Sequence, residues 1–353
     1  VFDSDCDLVG SNGDRSVEIF AASGGGIVQL TNGTFCSSMT PSVDGQGTFV
    51  AYASDCDPVG LNSDRSWEIF RVRFDGSVLQ LTDDTTASAC GSFDPQITSD
   101  ARYVVFDSDC DLAGENPDHI VELFRVDKRK DVIQLTSSHD DSCENIEPRL
   151  AGDDGIVFES TCDFTGANGD GSPEIFRRTA SGSVEQLTDD PSGTCESGNP
   201  ATAAGGAAVA YVSSCDPFGM NSDGGFEVFQ TDGNSLTQVT TGATCDSVAA
   251  AMDAAGRVTF LVSDCDLVGQ NPDGSHEIFA YADCACGAPA SRFANGSVPT
   301  TTDALMILQG AVGLTTCPLC ECDVDSDLAT TATDALMVLS QAVGQSVALM
   351  CPL

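Results

Sequence analysis

The sequence predicts an all-β protein, a six-bladed β-propeller of four-stranded antiparallel blades, with a small α-helical domain at its C-terminus. Two observations predict it. One phrase recurs six times, its cysteines at 6, 56, 110, 162, 215 and 265, spaced 50 to 54 residues apart, a period that marks a propeller or solenoid. Each unit also reads as four short runs of β-branched and aromatic residues between turn signals, and helical spacing is absent until about residue 300. The chain thus divides into a propeller over 1–283 and a second domain over 284–353.

The third unit shows the elements in order. GSFDPQIT is the first strand and turns at Ser99–Arg102; ARYVVFDS is the second, VELFRV the third and DVIQLT the fourth. QLT returns at 29–31, 80–82, 134–136 and 186–188, with QVT at 238–240. Four such strands make one blade. By this alignment the first blade lacks its first strand and the sixth stops after its third, HEIFAYA at 276–282. The two pieces are consecutive in the repeat, so they belong to a segment upstream of Val1 or are donated by a neighbouring molecule, which would make a polymer.

The turn Pro41-Ser42-Val43-Asp44-Gly45, followed by a V-x-F/Y-x-S strand and a D/E-I-F strand, resembles the TolB-type β-propeller repeat over roughly 1–283. The resemblance implies the fold and little about function, because propellers host many activities.

Seventeen cysteines point to structural disulfides in an oxidising, extracellular compartment. A second series, at 36, 90, 143, 195 and 245, precedes the next phrase cysteine by 19 or 20 residues, and the midpoints fall on turns at Gln46, Asp100, Gly152/Asp153, Gly205 and Ala255. Residues equidistant from a hairpin turn face each other across the ladder. The expected pairs are Cys36–Cys56, Cys90–Cys110, Cys143–Cys162, Cys195–Cys215 and Cys245–Cys265; the alternative is buried free thiols. Cys6 has no upstream partner. Asn32 and Asn295 stand in glycosylation sequons.

All six phrases share C-D-x-x-G-x-N-x-D-x-x-x-E-[ILV]-F. The repeated quartets are Asp7/Asn12/Asp14/Glu18, Asp57/Asn62/Asp64/Glu68, Asp111/Asn116/Asp118/Glu122, Asp163/Asn168/Asp170/Glu174, Asp216/Asn221/Asp223/Glu227 and Asp266/Asn271/Asp273/Glu277. Three carboxylates and an amide oxygen within a short loop suit Ca²⁺, which takes hard oxygen ligands in flexible geometry. The same residues also suit turns, since Asp and Asn form Asx-turns and a Glu carboxylate accepts backbone amides. The glycine needs only a positive φ.

After Cys286 the texture changes. TTTDALMILQGAVG (300–313) and TATDALMVLSQAVG (331–344) repeat with an offset of 31. Leu305, Leu308 and Val312, and Leu336, Leu339 and Val343, fall at helical spacing. Thr302 and Thr333 are the expected caps, with Asp303 and Asp334 favourable to the helix dipole. Asp323, Asp325, Asp327, Thr331 and Asp334 occupy positions 1, 3, 5, 9 and 12 of a calcium loop. Two loop–helix units of this kind resemble a type I dockerin domain over about 292–345. That resemblance implies Ca²⁺ at the second loop and docking through Thr301/Thr302 and Ala332/Thr333. The first loop, RFANGSVPTTTD, departs from the pattern because no acid precedes Asp303, and Leu328 replaces the usual glycine of the second. Cys284, Cys286, Cys317, Cys320, Cys322 and Cys351 surround the module, as disulfides or, at C-x-x-C-x-C, a zinc site.

With 54 acidic and 14 basic residues the net charge is −40. That excludes nucleic acid and an anionic membrane as partners, because both need Lys/Arg to replace counterions. No apolar run is long enough to cross a bilayer. The three histidines lack a nucleophile context and no G-x-S-x-G occurs. The acids repeat in every blade, whereas a catalytic pair should be singular. The expectation is a non-catalytic extracellular or cell-surface structural or adhesion protein, disulfide-stapled and calcium-stabilised, with a protein partner or itself as partner, self-assembling into a filament or array by strand exchange or tail-to-propeller contact. The rival is a secreted carbohydrate-active enzyme or glycan-binding module anchored through its dockerin-like domain. A singular cluster of acidic and aromatic residues in the propeller's mouth would favour the rival.

Overall fold

The computed structural model describes residues 1–84, 90–138, 142–152, 155–190, 193–233, 235–282, 299–315, 317, 319–327 and 329–350. It is a six-bladed β-propeller with short helices at the C-terminus, and it divides into compact units at Val1–Ala280 and Tyr281–Leu353.

Blade 1 contains β1 (Phe2–Ser4), β2 (Glu18–Ser23) and β3 (Gly26–Gln29). Blade 2 contains β4 (Ser38–Val43), β5 (Phe49–Ser54), β6 (Glu68–Arg73) and β7 (Val78–Gln80). Blade 3 contains β8 (Ser92–Ile97), β9 (Tyr103–Ser108), β10 (Glu122–Asp127) and β11 (Val132–Gln134). Blade 4 contains β12 (Asn145–Leu150), β13 (Ile156–Ser160), β14 (Glu174–Arg178) and β15 (Val184–Gln186). Blade 5 contains β16 (Ser197–Thr202), β17 (Val209–Ser213), β18 (Glu227–Thr231) and β19 (Leu236–Gln238). Blade 6 contains β20 (Ser247–Met252), β21 (Val258–Ser263) and β22 (Glu277–Ala282).

In blades 1 to 5 the Phe of the E-[ILV]-F run explains why the second and third strands pair so regularly. It lies directly opposite an aromatic residue: Phe2↔Phe20, Tyr52↔Phe70, Phe106↔Phe124, Phe158↔Phe176 and Tyr211↔Phe229. The rings stack with centroids 5.6–5.8 Å apart, and cross-strand aromatic pairs fix register. Between blades, Val, Ile and Leu side chains such as Ile69, Leu81, Val104 and Val126 close the core.

The first strands β4, β8, β12, β16 and β20 neighbour one another in sequence and line a channel of about 1020 Å³ with residues such as Ser42, Gln96, Arg149, Thr202 and Met252. Each carries a bulge, as between Phe93 and Gln96. In blades 2 to 5 the bulged residue, Thr40, Asp94, Glu147 or Asn199, has φ near 50° and precedes a proline. Such a conformation is costly outside glycine, so the bulge that re-aims these side chains is a built feature of the inner wall.

The disulfides Cys36–Cys56, Cys90–Cys110, Cys143–Cys162, Cys195–Cys215 and Cys245–Cys265 staple blades 2 to 6, with Cα atoms 4.9–5.2 Å apart. A sixth joins Cys317 to Cys322. Cys6 is free and exposed; Cys284, Cys286 and Cys351 lie outside the described residues. Six disulfides suggest an oxidising compartment, extracellular or periplasmic. Among the described residues no helix is long and apolar enough to cross a membrane.

In the C-terminal unit α1 (Thr301–Ala311) and α3 (Ala332–Ala342) flank the short α2 (Leu319–Cys322). Both long helices start earlier than expected. Thr300 and Thr331, not Thr302 and Thr333, are the N-caps, each in a capping box with Asp303 or Asp334. The reason is reach: an N3 carboxylate returns to the backbone N–H three residues before it. Ala304, Ile307, Cys322, Val324, Ala335 and Val338 form the buried core of this unit. The small alanines allow close helix approach, and the Leu305/Leu308/Val312 and Leu336/Leu339/Val343 stripes remain exposed.

Candidate functional site

The repeated loop acids sit where their own loops consume them. In all six copies the first Asp accepts the backbone N–H of the Asn, at 2.9 Å for Asp7–Asn12, 2.9 for Asp57–Asn62, 2.8 for Asp111–Asn116, 3.1 for Asp163–Asn168, 2.9 for Asp216–Asn221 and 2.7 for Asp266–Asn271. Each Asn is buried and donates its amide to the carbonyl four residues on, as Asn12 does to Ser16 at 2.8 Å. The shared glycine, Gly10 in the first copy, has φ 79°, which lets the chain reverse between Asp and Asn.

The Glu locks the third strand to the fourth. Glu68, 1% exposed, accepts Thr82 Oγ1 at 2.5 Å, Asp84 N at 2.9 Å and Ser66 Oγ at 2.9 Å. Glu18 does the same with Thr31, Gly33 and Ser16, and Glu174 with Thr188, Asp190 and Ser172. Glu122 takes Ser138 and Asn145 instead, and Glu227 takes Gly242. Burial raises the pKa values of Glu68, Glu174 and Glu227 against the opposing hydrogen bonds. Glu277 is exposed, with Ser275 as partner.

The middle aspartates, Asp14, Asp64, Asp118, Asp170, Asp223 and Asp273, are all exposed at the rim of their loops. In four loops a serine hydroxyl stands among the Asn, Asp and Glu oxygens. Ser16 Oγ lies 3.3, 3.1 and 2.9 Å from Asn12, Asp14 and Glu18, and Ser66, Ser172 and Ser275 repeat this arrangement. Asp64 Oδ1 accepts Ser66 Oγ at 3.3 Å; Asp170 Oδ1 accepts Ser172 Oγ at 3.0 Å and Ser172 N at 3.2 Å. The hydroxyl thus stands among the oxygens that the sequence offers to a cation. In the third loop Ile120 stands two residues after Asp118 in place of the serine, and its carbonyl accepts Asn116 Nδ2 at 2.9 Å. Where Gly225 replaces the serine, the buried Asn221 Oδ1 has no partner, and Asp223 is held below its usual range chiefly by the backbone N–H of Thr244.

Among the described residues, no quartet brings its three carboxylates together within 4.8 Å, neither Asp57/Asp64/Glu68, Asp111/Asp118/Glu122 and Asp163/Asp170/Glu174 nor the other three. The reason is that each acid answers a different donor. The first turns to the Asn N–H, the middle one stays at the rim, and in most copies the Glu is drawn inward to the fourth strand.

The C-terminal loop is arranged differently. Oxygens of Asp323, Asp325 and Asp334 all lie within 4.8 Å of one another. Asp334 accepts Val324 N and Thr331 N, both at 2.7 Å, and Asp327 N points at Asp323 at 3.1 Å. Thr331 spends its hydroxyl on Asp334 as helix cap. Hard oxygens gathered on one point fit Ca²⁺. Leu328 and residues 292–298 of the acid-free stretch, Asn295 among them, lie outside the described residues; Asn32 is exposed.

A second group of acids lies outside the shared loop phrase. Asp107 and Glu159 stand, like Asp3 of blade 1, where blades 2, 5 and 6 carry Ala53, Val212 and Val262, and Asp94 and Glu147 occupy bulge positions of adjoining blades. Burial pushes Asp107 well above the usual carboxylate range, with the charge of Asp94 adding to it. Burial also raises Asp94 and Glu147, opposed by Arg149, whose guanidinium lies 3.6 Å from Glu147. Asp107 is 4% exposed and its Oδ1 has no hydrogen-bond partner. Glu159, pushed up to about 7 by burial and by Glu147, Glu144 and Glu196, accepts Asn199 N at 3.1 Å. That longer side chain reaches the bulge N–H of the next blade; the aspartate at the same position of blade 3 has no such bond.

Glu159 opens into a cavity of about 220 Å³ shared with Glu196, Gly198, Pro173, Phe226 and Val248. The cavity exists because Gly198 stands where the other described blades carry Met39, Phe93, Ile146 and Val248. A Cβ there would come within 2.3 Å of Glu159 Oε2. What the copies share does not point to this cluster; Glu159 and Gly198, which differ from the other copies, are its signal in the sequence.

No family model and no curated protein matches the sequence. Among solved structures the chain is similar to a puromycin hydrolase, at TM-score 0.52 and 16% identity over 76% of this chain and 40% of that one. It is also similar to TolB from Acinetobacter baumannii, at TM-score 0.49 and 16% identity, covering 80% of this chain and 62% of that one. A putative TolB from Agrobacterium tumefaciens gives 0.49 and 14%, covering 72% and 85%. The chain spans less than two thirds of the first two proteins, and at these identities the likeness concerns the fold alone.

Proposed function

We propose that this chain is a non-catalytic, exported structural protein of the cell surface that associates with further copies of itself through its C-terminal module. The observation that carries this reading is the exposed apolar face of that module. Leu305, Leu308 and Val312 on α1, and Leu336, Leu339 and Val343 on α3, are between 39% and 63% exposed. Exposed apolar side chains of this kind mark a contact site, and in a two-fold contact between copies the same face of each chain meets its counterpart. Ca²⁺ held by Asp323, Asp325 and Asp334 would tie the loop to the start of α3 and fix that face. The propeller supplies a rigid, disulfide-stapled body whose repeated acids serve its turns. Sedimentation velocity of the full chain tests this: calcium-dependent association, lost in L305S/L336S, is expected. A chain that stays monomeric with calcium, or associates equally after both substitutions, contradicts it.

A second reading, a glycan-binding or carbohydrate-active protein, is favoured by the singular cluster of Glu159, Glu196 and Phe226 at one cavity. Binding or hydrolysis of oligosaccharides that is lost in E159Q would support it; inert behaviour across a glycan panel would remove it.

A further inference from the structure

The cavity between blades 4 and 5 goes beyond the first reading, and its charge argues against the second. Its space comes from Gly198, the one described copy without a side chain at that position, and the volume of about 220 Å³ admits about seven water-sized groups. Its lining sets two carboxylates, Glu159 and Glu196, and the polar Ser197 and Asn199 against Pro173, Val212, Phe226 and Val248, and contains no basic residue.

The charge behind it is negative as well. Glu147 interacts with Glu159 and with Asp94, and Asp94 with Asp107; Arg149 is the positive charge among them. The buried Asp107 Oδ1 lacks a hydrogen-bond partner. A metal ion suits the site poorly, because among the described residues three carboxylates gather within 4.8 Å only at Asp323, Asp325 and Asp334. A neutral sugar would leave both carboxylates without a counter-charge. A cation on a short hydrocarbon chain matches both halves: its head meets Glu159 and Glu196 in charge-assisted hydrogen bonds, its methylenes meet the aliphatic lining, and Phe226 offers an aromatic ring to the positive end.

We propose that this cavity binds an aliphatic primary ammonium group, with Glu159 and Glu196 as its recognition pair. The group is the head of a free alkylamine or the side chain of a lysine.

Calorimetry on the full chain at pH 8 and low salt tests the assignment with n-pentylammonium, Nα-acetyl-lysine amide, n-pentanol, CaCl₂ and maltose. Both ammonium probes are expected to bind one per chain and n-pentanol not to bind. E159Q and E196Q should each weaken binding by about tenfold or more, and G198V should abolish it. If G198V does not fold, the two isosteric Gln variants still decide. Tighter binding of the lysine amide assigns the site to a protein side chain; tighter binding of pentylammonium assigns it to a free amine. No heat with either ammonium probe, equal affinity for pentanol or maltose, displacement of the amine by stoichiometric calcium, or unchanged affinity in both Gln variants would overturn it.

Discussion

Replacing Glu68 with Ala tests whether the repeated glutamates are architectural. The carboxylate is 1% exposed and receives Thr82 Oγ1, Asp84 N and Ser66 Oγ. Thr82 Oγ1 in turn accepts Ile69 N at 2.8 Å, so the glutamate ties the fourth strand to the third through one hydroxyl. Truncation strands the Thr82 hydroxyl and the Asp84 N–H, at about 1–3 kcal/mol for each buried unsatisfied donor. Release of a carboxylate whose burial already raises its pKa offsets part of this. The net loss is about 2–4 kcal/mol, which for a domain this size lowers Tm by about 3–7 °C. E68Q keeps one acceptor and should lose about half as much. Thermal unfolding followed by circular dichroism, in EDTA and in millimolar calcium, gives the readout. The same deficit is expected in both buffers. If EDTA lowers the wild type to the variant's Tm while the variant ignores calcium, the glutamate is a metal ligand and the argument fails.

Further outcomes follow from the same geometry. Replacing Cys90 and Cys110 with Ala together should cost about 3 kcal/mol, the entropy of a loop of about 20 residues, read as a lower urea midpoint that dithiothreitol no longer shifts in that blade. Glu159 has a folded pKa of about 7 against 4.5 for the ordinary side chain; the folded chain therefore holds the proton more tightly, and stability contributed by this group falls as pH rises from about 4.5 to about 7. E159Q should accordingly raise Tm at pH 8 and leave it unchanged near pH 4, and a variant less stable than wild type at pH 8 would contradict the sign. D334A removes both the cap partner of Thr331 and a member of the carboxylate cluster. It should cost about 1 kcal/mol of helix stability and erase calcium's effect on the helical signal, whereas an intact calcium response would place the metal elsewhere.

The sequence carried the fold because the same local decisions recur in each copy. The aromatic of the second strand and the Phe of E-[ILV]-F are read as pleated-sheet residues one unit at a time, and hairpin symmetry places Cys90 opposite Cys110 as it does Cys245 opposite Cys265. The loop acids were legible as residues but ambiguous in role, since an Asx-turn and a calcium loop draw on the same oxygens; Asp7 turned to Asn12 N and Ser16 set amid three oxygens favour the turn. The caps shifted to Thr300 and Thr331 because the N3 aspartate, not the threonine nearest it, sets the start. The acidic cluster escaped for the opposite reason. Asp107, Glu159 and Gly198 are each ordinary in one strand, and only the packing of neighbouring blades brings Glu159 to the Asn199 N–H and leaves Gly198 as a cavity.

The number of calcium ions held by one chain tests the account most directly, because the six loop quartets and the C-terminal cluster differ in what fills their centres. Native mass spectrometry with calorimetric titration of the full chain should find one tightly bound Ca²⁺, lost in D323A and D334A and indifferent to E68Q. Six or more equivalent sites that survive D334A would show that the repeated carboxylates hold metal, and would contradict the assignment of those residues to turns.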